Sequence, residues 1–473
     1  MPIPVHPAAR LALLLLLSTI GAPLLSTGCG QEDAGPAAPV CRDGPASGDC
    51  VWAVTGDFRG TGVLSVIEVG ATEAAPDAGD NGDNGDNGAD HAVEIGAVAG
   101  VVGDDPIMAG PIASEPAADT PGTTPPMPGS RDDPLIIVNR FGSDSVALLD
   151  LTTRSLIAEV STGPGSNPQD ALLYRGRLYV AALAAPGLLV IDLERVERGE
   201  SAADSTRTID LASLDPDDGV PDCHAIARAD ERLYVSCGVL DERFQPRANG
   251  RVAVIDVSAT SGPDDDGDGD GDGDGDGSGQ LIDTISLTTP NPIGRLHVTP
   301  SDGPLAGDLL VATVDFDGLT DNDLTRGCVE RIAIGASPAT SGCLVENSDL
   351  GGYASSLVYD RWSRPGQLYV VTVAGYGPRG AISRVVRFDV QSSSLAEGSL
   401  TAPEQAPIDV VQCPGGELVI ADAASGGVRI YEPDASSTTG FAERSAAPLD
   451  IGLPPVERGM VCVPATVTAA TTE

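Results

Sequence analysis

The four histidines are the first residues to test for catalysis, because histidine most often moves protons near neutral pH. His6 lies in an apolar leader and His91 in a low-complexity stretch, so neither is expected in a fixed site. His224 stands beside Cys223, and His297 lies in a strand-like apolar segment, so a structural role is predicted for both. No serine-centred elbow, phosphate-binding glycine loop or HExxH motif accompanies them. The sequence therefore nominates no catalytic residue.

Nine cysteines offer a second kind of chemistry. Eight remain once Cys29 is set aside, and an even number suits disulfides in an oxidising compartment. Cys223 and Cys237 flank a segment that reads as strand, tight turn and strand, which would place them opposite each other. Cys328 and Cys343 enclose a similar hairpin-sized segment. Metal binding is the alternative, but the chain has no CxxC pair and few histidines, so disulfides are predicted and metal ligands are not.

Two low-complexity acidic inserts are the third candidate, at 71–133 and at 262–279. Alternating carboxylates supply the oxygen ligands that calcium prefers, so weak and diffuse calcium binding is one interpretation. The carboxylates concerned are Asp264, Asp266, Asp268, Asp270 and Asp272. An EF-hand-type loop would end on an acidic residue, where this run has Gly275 or Gly277. The favoured interpretation is two disordered surface inserts without a cofactor, in which an apolar island at 92–102 would add a short strand.

A two-strand pattern recurs along the rest of the chain: an apolar strand, a small polar turn and a second apolar strand that ends near an acidic residue. The copies span 51–69, 135–151, 177–193, 232–257, 308–334, 367–390 and 417–433. A period of about 40 to 45 residues with paired strands is typical of propeller blades. The sequence therefore predicts an all-β fold, a seven-bladed β-propeller over 50–464, although six or eight blades also fit the pattern.

These copies resemble the YVTN-repeat family of β-propellers, whose repeat reads as a YVaN strand, a small turn and a VsVID strand. The matching positions are 138–139 with 146–150, 179–181 with 190–192, 234–235 with 252–256, and 369–370 with 386–389. The resemblance covers most of 51–464, but only Asn139 supplies the motif asparagine, and the fifth copy lacks the tyrosine and the aspartate. It implies a propeller, and it allows an enzymatic alternative because YVTN-like propellers resemble those of quinoprotein dehydrogenases.

The ends of the repeat region predict how the ring closes. The segment 455–464 has the character of the strand that precedes each copy, whereas the copy at 51–69 lacks such a strand. The C-terminal strand would then complete the first blade and remove the open edges of the ring. Cys50 and Cys462 would lie on neighbouring strands, so a disulfide between them is expected, with Cys41–Cys413 as the residual pair. The sequence alone leaves the connectivity of these four open.

The first 28 residues resemble a bacterial lipoprotein signal peptide. Arg10 supplies the positive charge, 11–25 the apolar segment, and small residues lead to Cys29. The resemblance implies that Cys29 becomes the lipidated first residue, followed by a linker at 29–49, with a C-terminal tail at 465–473. Ordinary secretion and an uncleaved anchor are the alternatives. Gly30 gives no inner-membrane retention signal, so the expected location is the outer membrane of the bacterial cell envelope, facing the periplasm or the cell surface.

The charge balance limits the possible partners. With 69 acidic and 27 basic residues, the net charge of −42 repels nucleic acid. The expected partners are an envelope protein, a peptide or a glycan, with the membrane reached through the lipid anchor. The expected function is a non-catalytic binding or scaffold module. The alternatives are a propeller enzyme, either a metal-dependent hydrolase or lactonase or a quinoprotein-type oxidoreductase subunit, and a structural surface-layer component, because a fold does not fix a function.

Overall fold

The computed structural model describes residues 49–56, 62–69, 105–109, 134–150, 155–258, 279–305, 307–315, 324–377, 380–444, 447–451 and 453–463. The signal segment, Cys29, Cys41, His6, His91, the apolar island at 92–102, the Asp-Gly run and the C-terminal tail lie outside these ranges. No helix in the described ranges is long and apolar enough to cross a membrane.

The regular secondary structure of the described residues consists almost entirely of antiparallel strands. They are β1 (Asp49–Gly56), β2 (Gly62–Val69), β3 (Pro106–Met108), β4 (Leu135–Asn139), β5 (Ser145–Asp150), β6 (Ser155–Ser161), β7 (Pro168–Tyr174), β8 (Arg177–Ala182), β9 (Gly187–Asp192), β10 (Thr206–Asp210), β11 (Cys223–Ala229), β12 (Arg232–Cys237), β13 (Asn249–Asp256), β14 (Gln280–Pro290), β15 (Pro292–Val298), β16 (Leu309–Thr313), β17 (Cys328–Ala333), β18 (Ala339–Glu346), β19 (Tyr353–Tyr359), β20 (Gln367–Gly377), β21 (Gly380–Asp389), β22 (Ser394–Leu395), β23 (Pro407–Gln412), β24 (Leu418–Asp422), β25 (Gly427–Pro433), β26 (Phe441–Glu443), β27 (Leu449–Asp450) and β28 (Pro455–Val463). The short helices are α1 (Leu193–Glu197), α2 (Asn347–Leu350) and a 3-10 turn at Ala212–Leu214.

Seven sheets form the blades of a β-propeller, which confirms the predicted fold class. Blade 1 is β28-β1-β2 from the axis outward, blade 2 is β3-β4-β5-β6, and blades 3 to 6 follow as β7 to β10, β11 to β14, β15 to β18 and β19 to β22. Blade 7 is β23-β24-β25-β26, with β27 also paired to β25. The innermost strands pack side by side around the axis in the order β28, β3, β7, β11, β15, β19 and β23, and β23 returns to β28. Each two-strand copy in the sequence forms the second and third strands of one blade, counted from the axis.

The interfaces between blades are filled by the apolar residues of these middle strands. The motif tyrosines Tyr179, Tyr234 and Tyr369 lie on the second strands of their blades and are at most 1% exposed. Tyr369 also donates a hydrogen bond to Asp360 over 3.3 Å and packs edge-on against Phe441, with 5.3 Å between ring centroids. An edge-to-face pair of this kind contributes about 1 kcal/mol beyond its buried area. The repeated tyrosine of the motif is thus a packing residue.

The C-terminal strand closes the ring as predicted. Strand β28 pairs with β1 and takes the innermost position of blade 1, where the N-terminal copy has no strand of its own. The register places Cys50 opposite Val463 and Val51 opposite Cys462. This pairing covers the inner edge of β1, which would otherwise be open to another strand.

The hairpin disulfides Cys223–Cys237 and Cys328–Cys343 are confirmed. The expected pairs Cys50–Cys462 and Cys41–Cys413 are wrong, because Cys462 is bonded to Cys413. Neighbouring residues of a strand point to opposite faces of the sheet, and Cys50 and Cys462 are offset by one position in the register. Cys462 therefore faces blade 7, where Cys413 follows β23. Cys50 is disulfide-bonded as well.

The prediction of a disordered insert over 71–133 is wrong at 106–108, which lies outside the apolar island where a short strand was expected. Within that range, Pro106–Met108 forms β3, the innermost strand of blade 2. Ile107 and Met108 are fully buried, because they face the packed interiors on the two sides of the blade. Three residues with the right alternation are enough to fill the position next to the axis.

Candidate binding site at one mouth of the channel

The innermost strands carry β-bulges close to the mouth of the channel where they begin. Register shifts occur between the residue pairs Pro168/Asp170, Cys223/Ala225, Ala354/Ser356 and Pro407/Asp409. A bulge adds an unpaired residue and re-aims the side chains beside it. In two of the four strands, the residue that follows the bulge is an aspartate.

Asp170 and Asp409 each join one blade to the next. Asp170 accepts hydrogen bonds from the backbone N–H of Ala171 over 3.0 Å and of Ile226, on the next innermost strand, over 2.9 Å. Asp409 accepts from the hydroxyl of Ser356 over 2.8 Å and from the backbone N–H of Met460 over 3.2 Å. Both carboxylates are almost completely buried, so these bonds replace the water that they lose.

Arg458 reaches across the channel from β28. Its Nη2 lies 3.3 Å from Oδ2 of Asp170, and its Nη1 donates to the carbonyl of His224 over 3.3 Å. The residue is 3% exposed and has a φ of +58°, a left-handed conformation that a side chain other than glycine seldom adopts. Arg458 therefore links blade 1 to blades 3 and 4.

Arg295 lies on β15, and its side chain extends across the channel to β28. Its Nη2 donates to the carbonyls of Arg458 over 2.7 Å and Met460 over 2.9 Å, and it lies 3.4 Å from the carbonyl of Met108. Its Nη1 lies 3.6 Å from Oδ2 of Asp409. We call Arg295 and Arg458 the channel arginines. Their guanidinium groups occupy the channel at the level of the bulges, where the innermost strands of several blades converge.

At the level of the β-bulges, the buried environment favours neutral histidine side chains beside the cationic channel arginines. Burial lowers the pKa of Arg458 to about 10, which leaves it charged at neutral pH. Burial also lowers the pKa of His224 and of His297 to about 3, with Arg458 adding to both shifts and Arg295 to that of His297. Neither imidazole is protonated near neutral pH. The structural role that the sequence predicts for these histidines stays a prediction.

The rim of the same mouth is exposed and partly apolar. Strands β20 and β21 extend beyond β19 as a hairpin that carries Tyr376, 47% exposed, and Ile382, 59% exposed. The hydroxyl of Tyr376 lies 2.9 Å from that of Tyr353 at the start of β19. Glu457, near the start of β28, has an exposed side chain and forms no hydrogen bond or ion pair with another described residue. We call Tyr353, Tyr376, Ile382 and Glu457 the mouth surface.

The charge of Glu457 acts on these tyrosines. Burial raises the pKa of Tyr353 and of Tyr376, and the carboxylate of Glu457 raises both further. The mouth surface thus combines an unpaired carboxyl group with two phenols and an exposed aliphatic side chain.

The described residues of the channel include no group of side chains placed to bind a metal ion. Among them, the one group of three histidine, cysteine or acidic residues close enough to share an ion is Cys328, Cys343 and Glu346, and its two cysteines form a disulfide. In the channel, Asp170 and Asp409 are already engaged by backbone N–H groups and by the channel arginines. Among the described residues, these two aspartates are therefore not a free carboxylate pair of the kind that holds a metal ion.

Sequence reasoning missed the channel arginines and their partners. A signal was present for the aspartates, because a Pro-x-Asp triplet opens two innermost strands, at Pro168 and at Pro407. No local pattern marks Arg295 or Arg458, which meet their partners only through the closed ring.

No family model and no curated protein matches the chain. A solved structure of a candidate 6-phosphogluconolactonase from Bacteroides fragilis is 12% identical, over 89% of this chain and 100% of that one, with a TM-score of 0.53. Another from Bacteroides uniformis is 11% identical, over 88% and 99%, with a TM-score of 0.50. AztD from Citrobacter koseri is 11% identical, over 89% and 99%, with a TM-score of 0.43. This likeness shows the β-propeller fold alone.

Proposed function

We propose that this chain is an exported β-propeller that binds a partner at the mouth of its channel and performs no catalysis. The observation that carries the proposal is the crossing of the channel by Arg295 and Arg458, whose partners are buried carboxylates and backbone carbonyls. A central catalytic site needs polar groups that are free to meet a substrate. Among the described residues, Asp170, Asp409 and the channel arginines hold neighbouring blades together, so we place recognition at the exposed rim.

The mouth surface favours a protein or peptide partner. Aromatic residues such as Tyr376 are enriched at the centres of interfaces, and an exposed aliphatic neighbour such as Ile382 adds apolar area to bury. The free carboxyl group of Glu457 suits a basic side chain, and the net charge of −42 would speed the approach of a basic partner. We therefore infer that an envelope protein or peptide with apolar and basic side chains is the partner, with a glycan as the alternative.

The proposal also includes export of the propeller to the cell envelope and its attachment to a membrane. Three disulfides join described cysteines, and such density is typical of oxidising compartments. Cys29 lies outside the described residues, and we propose that it carries a lipid that holds the propeller at the outer membrane, with secretion as the alternative. Detergent phase partitioning tests this point, because Cys29→Ser would move a lipidated protein from the detergent phase to the aqueous phase.

A cross-linked pull-down from detergent-solubilised envelopes of the native cell tests the function. The bait is the mature protein, and the test variant is the double substitution Tyr376→Ser with Ile382→Ser. The matched control removes two exposed apolar side chains elsewhere, Leu156→Ser with Ile282→Ser, which are 43% and 45% exposed. We expect a stoichiometric partner with the wild type and the control, and its loss with the test variant. Equal capture by all three baits, or recovery of the propeller alone, would contradict the proposal.

A further inference from the structure

A cavity of about 330 Å³ lies at the end of blade 6 opposite the β20–β21 hairpin. Its polar lining comes from the loop before β20, the start of β20, the end of β21 and the turn that follows. The residues concerned are Arg364, Gln367, Arg387, Asp389, Ser392 and Ser394. The site is thus separate from the mouth surface, at the other end of the same strands.

The side chains of Arg364 and Arg387 line this cavity, and both have N–H groups without an acceptor among the described residues. Arg387 donates from Nη1 to the carbonyl of Thr439 over 2.6 Å, but its Nε is buried and has no acceptor. The guanidinium group of Arg364 lies against Gly440, where there is no side chain to displace it. The backbone carbonyl of Arg364 accepts from the N–H of Gln367 over 3.1 Å, but its guanidinium group forms no hydrogen bond or ion pair with another described residue. Two cations at one cavity raise each other's energy, and a shared anion relieves that cost.

The carboxylate in the cavity does not neutralise these arginines. Asp389 accepts from Nε2 of Gln367 over 2.6 Å and from the backbone N–H of Ser392 over 2.8 Å. These bonds lower its pKa, so it stays ionised, but it forms no ion pair with either arginine. The hydroxyls of Ser392 and Ser394 lie 2.7 Å apart beside it. The lining therefore combines two cationic side chains with an acceptor carboxylate and two hydroxyl groups.

We propose that this cavity binds a sugar that carries a carboxylate. The two arginines receive the carboxylate, for which the planar guanidinium group is well suited. Asp389 and the serine hydroxyls form hydrogen bonds with hydroxyl groups of the sugar ring, because a second negative charge beside Asp389 would be repelled. A cavity of this size accommodates a small ligand, at the lower end of the usual range of roughly 300 to 1,000 Å³.

Titration calorimetry of the mature chain with glucuronate tests the site, with glucose and inorganic phosphate as comparison probes. Trp362 supplies a second readout by fluorescence, since it stands two residues before Arg364 and is 54% exposed. The test variants are Arg364→Gln and Arg387→Gln. The matched control is Arg384→Gln, which removes the same charge from the same strand outside the cavity, where its side chain donates to the carbonyl of Leu350.

We expect glucuronate to bind at low salt and Arg364→Gln to weaken that binding roughly tenfold or more, because one charge-assisted contact is lost. Arg384→Gln should leave binding unchanged, and glucose should bind far more weakly than glucuronate. Arg387→Gln also removes a bond to blade 7, so Arg364→Gln decides the matter if that variant fails to fold. The proposal is overturned if glucuronate does not bind up to about 10 mM, if all three variants weaken it equally, or if phosphate binds more tightly than glucuronate.

Discussion

Arg458 and Asp170 form an ion pair across the central channel, with 3.3 Å between Nη2 and Oδ2. Arg458 lies on β28, the innermost strand of blade 1, and Asp170 lies on β7, the innermost strand of blade 3, and their side chains are only 4% and 1% exposed. The pair therefore adds to the backbone pairing of β28 with β1 a side-chain link between the closing strand and blade 3. Removing either partner leaves a buried charge without its counterion.

The first prediction concerns this pair. Arg458→Met is expected to lower the free energy of unfolding by about 3 to 5 kcal/mol, because Asp170 stays buried without its cation. Denaturant unfolding monitored by circular dichroism measures the change. Arg198→Met is the control, since Arg198 is 60% exposed and pairs with Glu200 at the surface, where such pairs contribute less than about 1 kcal/mol. A loss for Arg458→Met no larger than that of the control would refute the stabilising role of the pair.

A second prediction follows from His297. Its pKa is about 3 in the folded protein, below the ordinary value of about 6.5. Between these values the unfolded chain binds more protons than the folded one, so this group costs stability as the pH falls through that window. We therefore expect the unfolding free energy of His297→Gln, relative to that of the wild type, to rise by about 2 kcal/mol when the pH is lowered from about 7 to about 5. Unfolding free energies measured at both values test it, and a difference that does not change with pH would disprove it.

The Cys413–Cys462 disulfide should matter more than a hairpin disulfide. It closes a segment of 49 residues and attaches the closing strand to blade 7, whereas Cys223–Cys237 closes one of 14. Replacing both cysteines by alanine is expected to cost about 4 kcal/mol for the first pair and about 3 kcal/mol for the second, because longer loops gain more from a cross-link. The reverse order in thermal or denaturant unfolding would show that β28 is held mainly by other contacts.

The remaining cysteines give a prediction for peptide mapping. The six cysteines of the three described disulfides are paired among themselves, and Cys50 is disulfide-bonded. If Cys29 carries a lipid, Cys41 is the partner that remains for Cys50. Non-reducing mass spectrometry is expected to find a Cys41–Cys50 peptide and an acylated peptide that begins at Cys29. A Cys29–Cys50 peptide would exclude lipidation of the molecules that contain it.

The sequence predicts local features of this fold well and distant ones poorly. The seven strand pairs, the closing strand and the two hairpin disulfides depend on alternation and short turns that the chain shows directly. The Cys413–Cys462 bond depends on a register offset of one residue, which reverses the face that Cys462 presents. Strand β3 is too short to stand out from a polar insert. Arg295 and Arg458 find their partners only when distant blades surround one channel, so no window of sequence identifies them.

Site-specific photo-cross-linking in the native cell tests the central claim most directly. A photoreactive amino acid replaces Tyr376 on the mouth surface in one strain and Leu156 on an outer strand in another, since the two side chains are 47% and 43% exposed. Binding at the mouth requires a discrete adduct of one partner from position 376 and none of that partner from position 156. The same adducts from both positions, or none from position 376, would contradict a binding site at the channel mouth.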